Sequence, residues 1–154
     1  PVGSTLGTEH WDDPLPVSFP NYNRDVYKYI ELTVYNPDNE KKNQTLADNL
    51  SRSQYLVFSS RRVYYSILRN SKLYPFTSNF YRSLFSEKLG FKLIHREAHY
   101  PSFGNYILND DIADESFQSY DHPPVVIFQN IDYLNSNELI KRIQMNQLKA
   151  IDSE

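Results

Sequence analysis

Three short stretches of this 154-residue chain hold the side chains best suited to chemistry. Glu9-His10-Trp11-Asp12-Asp13 offers carboxylates, an imidazole and the only indole. Tyr35-Asn36-Pro37-Asp38 adds a phenol, an amide and a further carboxylate. Ser59-Ser60-Arg61-Arg62 supplies hydroxyls and guanidinium groups. Carboxylates and arginines suit sugar hydroxyls, and a flat ring suits the apolar face of a sugar. A fourth stretch, Asp121-His122, clamped by Pro123 and Pro124, could serve as an acid/base couple, although such a pair more often hydrogen-bonds backbone and fixes a turn. The candidate substrate-binding residues are therefore His10, Trp11, Asp12, Asp13, Ser60, Arg61, Asp121 and His122. The same residue types also build ordinary turns and helix caps, so their placement decides between the two.

Other chemistries find less support. His10 with Asp12, Asp13 and Asp38 could ligate a hard cation, but the spacing matches no established metal motif. His95, Glu97 and His99 point the same way on a strand, which is compatible with metal binding and more typical of a solvated face. Asp110, Asp111, Asp114 and Glu115 read as a solvated loop. The glycines are Gly3, Gly7, Gly90 and Gly104. None frames a serine as a nucleophile elbow, and neither the dinucleotide fingerprint nor the P-loop occurs. With no cysteine, thiolate catalysis and disulfides are excluded. No catalytic residue, metal or cofactor is assigned. Two sequons occur, at Asn43 and Asn49, relevant only if the host glycosylates exported chains.

The length suits one domain, and 40% hydrophobic content suffices for a core. Thirteen tyrosines and nine phenylalanines read mainly as core and core rim. A net charge of −3 leaves no basic excess to neutralise a phosphate backbone, so nucleic acid is not an expected partner. Arg61, Arg62, Arg69, Lys72, Arg82 and Lys88 make the middle of the chain locally basic, as solvated helix faces do. No apolar run approaches the ~18 residues of a membrane helix. The opening Pro1-Val-Gly-Ser-Thr lacks the features of a signal peptide and reads as the start of an excised fragment.

The elements that must position these groups follow from periodicity. Residues 5–11 read as a first strand. Residues 27–35 alternate, with Ile30, Leu32 and Val34 on one face. Asp38 or Asn39 caps a helix over 40–51, and the apolar run 55–58 is a strand covered on both faces. A short helix over 61–69 carries Val63 and Ile67 inward. Tyr74-Pro75-Phe76 breaks it, and Thr77 caps the next helix, whose stripe is Phe80, Tyr81, Leu84, Phe85 and Leu89. Gly90 stands where a left-handed helix end belongs. Residues 91–98 and 125–128 are strands, and Ser136 or Asn137 caps a last helix. The long stretch 100–124 hides a hairpin or an antiparallel edge strand. The alternation predicts a single α/β domain, with a mostly parallel, Rossmann-like sheet of about five strands and helices on both faces. Ligands would then bind beyond the carboxyl ends of the strands.

Tyr120-Asp121-His122-Pro123-Pro124 running into Val-Val-Ile-Phe is distinctive. With Tyr74-Pro75, Phe80-Tyr81-Arg82, Leu84-Phe85 and Leu89-Gly90-Phe91, it resembles the soluble C-terminal region of prokaryotic multi-spanning membrane glycosyltransferases of the family 39 type. These are relatives of dolichyl-phosphate-mannose protein mannosyltransferases. Thr8-Glu9-His10-Trp11-Asp12-Asp13-Pro14, Ser59-Ser60-Arg61-Arg62-Val63-Tyr64 and Tyr100-Pro101 follow in family order. Pro124 departs from the pattern, where a basic residue is more usual, as do Leu68 and Asn70. The resemblance implies a parent enzyme moving sugar from a polyprenyl-phosphate donor, with its catalytic acid in a membrane-helix loop outside this chain. It implies a non-catalytic, extracytoplasmic domain that contributes acceptor binding or structural support. The implied partners are the membrane part of the same polypeptide and a sugar or glycan acceptor. The rival is a stand-alone enzyme or sugar-binding module using the cluster around His10–Asp13 and Ser59–Arg62. A third alternative is an interaction module without a ligand.

Overall fold

A computed structural model describes residues 3–9, 27–97, 102–103, 106–107 and 124–151. The chain runs β1 (Thr5–Glu9), β2 (Lys28–Leu32), α1 (Glu40–Arg52), β3 (Tyr55–Phe58), α2 (Arg62–Arg69) and α3 (Pro75–Phe85). It continues through β4 (Phe91–Glu97), the two-residue strands β5 (Ser102–Phe103) and β6 (Tyr106–Ile107), β7 (Val125–Asn130) and α4 (Ser136–Ile151). β5 and β6 pair antiparallel as a separate hairpin, one of the two structures expected in that stretch.

The main sheet has the order β2-β1-β3-β7-β4. β1 pairs parallel with both β2 and β3, whereas β7 runs antiparallel to β3 and to β4. Four strands therefore point one way and β7 alone is reversed. The fold is α/β with a five-stranded mixed sheet, parallel at the β2-β1-β3 end.

Side-chain alternation shows where the core sits. Register places Gly7 opposite Ile30 and Leu56, Leu56 opposite Phe128, and Phe58 opposite Val126. These residues share one face with Leu32 and Phe91. The single core cluster draws its strand residues from that face: Leu32, Leu56, Phe58, Phe91, Val126 and Phe128. Its helical members come from all four helices, including Leu46 and Leu50 of α1, Ile67 of α2, Phe80 and Leu84 of α3, and Ile143 of α4. The described helices thus form one layer on one face, not layers on both as the strand–helix alternation suggested. Alternation in sequence fixes neither the strand order nor the side a crossover takes. Gly7 lies in this layer by necessity, since a Cβ there would come within 2.7 Å of Leu56 Cδ2 and 2.8 Å of Ser53 Oγ.

Several boundaries differ for local reasons. β2 stops at Leu32, and Val34 N–H turns back to Leu32 O at 2.8 Å before Asn36-Pro37. Asn39 caps α1, its Oδ1 accepting from Lys42 N at 2.9 Å. α3 begins at Pro75, not after it, because proline suits a first helical position that needs no N–H partner. Thr77 sits inside that first turn and does not cap it. α3 ends in a Schellman motif, with Glu87 N bonded to Leu84 O and Lys88 N to Ser83 O. The left-handed residue is Glu87, at φ 57°, rather than Gly90. Gly90, at φ +74°, instead makes the turn into β4, where a Cβ would lie 2.6 Å from Asp132 Cβ.

Candidate functional site

The chain leaves β1 for β2 on one side and leaves β3 for β4 on the other. β1 and β3 are neighbours, so their carboxyl ends flank the point where the winding reverses. Open α/β sheets form their ligand crevice at such a point. Thr8 lies opposite Val57, which brings the strand ends Glu9 and Phe58 to one level.

Glu9 is 3% exposed. Its Oε1 accepts a hydrogen bond from the Tyr81 hydroxyl of α3. The sequence explains this pairing. Tyr81 falls on the apolar stripe of α3, and its ring packs edge-on to Phe58 at 6.1 Å and against Phe80 at 4.7 Å. A ring held so deep must give its hydroxyl a partner, and a buried carboxylate needs a donor; the two meet at Glu9 Oε1.

After β3 come Ser59, Ser60 and Arg61. Ser60 is buried, and its Oγ accepts from Arg62 N at 3.3 Å, at the first turn of α2. Arg61 occupies the cap position with near-helical backbone, and its carbonyl accepts from Tyr65 N at 2.9 Å. Ser60 and Arg61 thus stand at the same edge of the sheet as Glu9.

A second polar group lies beyond β2. Asp38 Oδ2 accepts from Phe76 N at 2.7 Å and Thr77 N at 3.2 Å, and so caps α3 from a distant part of the chain. Asp38 Oδ1 accepts from Thr77 Oγ1 at 2.6 Å and from the Lys42 ammonium. Lys42 also donates to Thr77 Oγ1, and its nitrogen lies 5.9 Å from the centre of the Tyr74 ring. Burial alone would push the Asp38 carboxyl up. The bonds from Lys42 and Thr77, with the Lys42 charge, outweigh burial and hold it below the ordinary carboxylate value. Burial pushes the Lys42 ammonium down, and the bond and charge of Asp38 only partly offset that. Thr77 and Tyr81 are four apart on α3, so they share one helix face about one turn apart. The two polar groups therefore line one buried seam along α3.

His10, Trp11, Asp12, Asp13, Asp121, His122 and His99 lie outside the described residues. His95 and Glu97 do face the same way, 3.3 Å apart and exposed. Among the described residues no group of three or more His, Cys, Asp or Glu could hold a metal ion. Asn49 of the second sequon is buried, its amide donating to Glu31 O at 2.8 Å. Of these residues the sequence reading passes over Lys42 and names the others in other roles: Glu9 within its polar stretch, Thr77 as a helix cap and Tyr81 on an apolar stripe, none of them as a candidate substrate-binding residue. The available signal was two polar residues, Thr77 and Tyr81, spaced one turn apart on an otherwise apolar helix face. What they hold, Asp38 and Glu9, lies 39 and 72 positions away.

Among the described residues, no helix is long and apolar enough to cross a membrane. No family model, curated protein or solved structure matches the chain.

Proposed function

We propose that this chain is a non-catalytic, extracytoplasmic domain of a polyprenyl-phosphate-sugar-dependent membrane glycosyltransferase. In this reading it binds a sugar or glycan acceptor in the crevice between the ends of β1 and β3. The observation that carries the reading is the placement of Glu9 and of Ser60-Arg61 at the ends of adjacent strands where the winding reverses. A carboxylate, a hydroxyl and a guanidinium at neighbouring strand ends suit the hydroxyls of a sugar. The family-ordered motifs, from Thr8-Glu9-His10-Trp11 to Tyr120-Asp121-His122, supply the link to the glycosyltransferases. We read β2-β1-β3 as a Rossmann-like unit, with reversed β7 and the single helix layer as departures from it.

The non-catalytic assignment draws on how the ionisable groups are used. Asp38, Lys42 and Thr77 bind one another and cap a helix, and the Tyr81 proton is committed to Glu9. Such groups hold a crevice in shape. The membrane part of the same polypeptide, on the outer side of the membrane, would supply the donor and the catalytic acid. No cofactor enters this role.

Calorimetric titration of the full chain with a panel of monosaccharides, short glycans and polyprenyl-phosphate head groups tests the proposal. The expected result is saturable binding of a sugar or glycan, weakened about tenfold, or ~1.4 kcal/mol, by Arg61→Ala. A panel that gives no heat with folded protein would leave a bracing role in place of acceptor binding.

A further inference from the structure

Among the described residues, β4 is an outer strand of the main sheet, paired on one side with β7. Residues 92–97 are all exposed, with Leu93 at 37% and Ile94 at 48%. The direction of its backbone groups follows from β7. Asn130 N donates to Gln54 O at 2.9 Å, toward β3. Alternation then turns Gln129, Ile127 and Val125 toward β4. Lys92 and Glu97, opposite Gln129 and Val125, turn their amides inward, while Leu93 and Arg96 turn theirs outward. Leu93 N–H is met on that outer side by the Glu87 carboxylate at 2.9 Å. The register shift between Leu93 and His95 adds one residue, which places the outward positions three apart.

We propose that the β4 edge is a self-association surface, on which a second copy of this chain adds its own β4 antiparallel across a two-fold axis. One register satisfies both the backbone and the charges. Leu93 pairs with Arg96 of the second copy, since both turn their amides outward. Lys92 then faces Glu97 of the second copy, with both side chains on the same face. The Arg96 guanidinium of the second copy arrives beside Glu87, which yields the Leu93 amide to a main-chain carbonyl. Two-fold symmetry makes each contact occur twice. Opposite charges across a strand pair stabilise it and like charges oppose it. The occupant is thus chosen by charge complementarity: an antiparallel self-pair about the midpoint of residues 94 and 95 joins cation to anion at both ends. Charges and a bulge can also serve to blunt an edge against pairing, and that is the competing outcome.

Sedimentation equilibrium of the full chain, from micromolar to millimolar concentration, decides between them. The expected mass rises toward twice the 18.2 kDa of one chain. Lys92→Glu and Glu97→Lys, each placing like charges across both symmetric pairs, weaken association by about tenfold or more. The double variant Lys92→Glu/Glu97→Lys restores it. Circular dichroism identical to the parent's establishes that the variants fold. A mass of one chain at every concentration overturns the proposal, as does a dimer indifferent to the single reversals or a double variant that fails to recover. The outcome is independent of acceptor binding at the β1/β3 crevice.

Discussion

Asp38 accepts from two backbone amides, a hydroxyl and an ammonium, which fills both carboxylate oxygens. Asp38→Ala removes the cap of α3 and leaves Lys42 charged and buried without its counter-ion. The expected loss is about 3 kcal/mol of stability in urea unfolding. The fold holds the Asp38 carboxyl below its value of 3.8 in an unstructured chain. A lowered carboxyl stabilises the fold fully above the unfolded value and loses that contribution as pH falls through the folded one. Stability of the parent protein should therefore drop on acidification below pH ~4, with a shallower acid limb in Asp38→Asn. Gly7→Ala forces a methyl against Leu56 and Ser53 and should cost about 1–3 kcal/mol by the same measurement. At this scale the sequence was partly legible. Asp38 was visible as a possible cap, but for the helix next to it. Its service to α3 depends on a contact 38 residues away, which no local pattern encodes.

α3 is the element that holds the candidate site, because Thr77 and Tyr81 fix it to the ends of β2 and β1. Tyr81→Phe keeps the ring packing and removes one donor from buried Glu9. The expected cost is about 1–2 kcal/mol in thermal or urea unfolding. The same variant should weaken any ligand bound at the crevice if Glu9 contacts it. Helix and strand positions were the most legible part of the fold, since periods of 3.6 and two come from burial on one face. β3 falls on residues 55–58 as its apolar run implies, and α1 and α2 end within one residue of the expected positions. Tyr74-Pro75-Phe76 reads as a breaker, yet proline is favourable at a first helical position, so α3 starts at Pro75. At the other end a glycine is expected in the left-handed position, and Glu87 occupies it instead.

For the whole molecule, alternation of strands and helices was enough for an α/β domain with about five strands. It could not reveal that β7 inserts in reverse between β3 and β4, nor that the described helices share one face. Both depend on pairing between distant segments, and a buried strand of either direction has the same composition. The strand order has the larger functional consequence, since it puts the reversal of winding between Glu9 and Ser60-Arg61. The topology alone brings Glu9 and Ser60-Arg61 to one edge of the sheet. An amide NMR titration of the full chain with the sugar, glycan and head-group panel tests the proposed acceptor binding at that edge most directly. Acceptor binding predicts shifts centred on Glu9, Ser59, Ser60, Arg61 and residues 10–13. Shifts centred elsewhere, or a flat response across the panel, would contradict it.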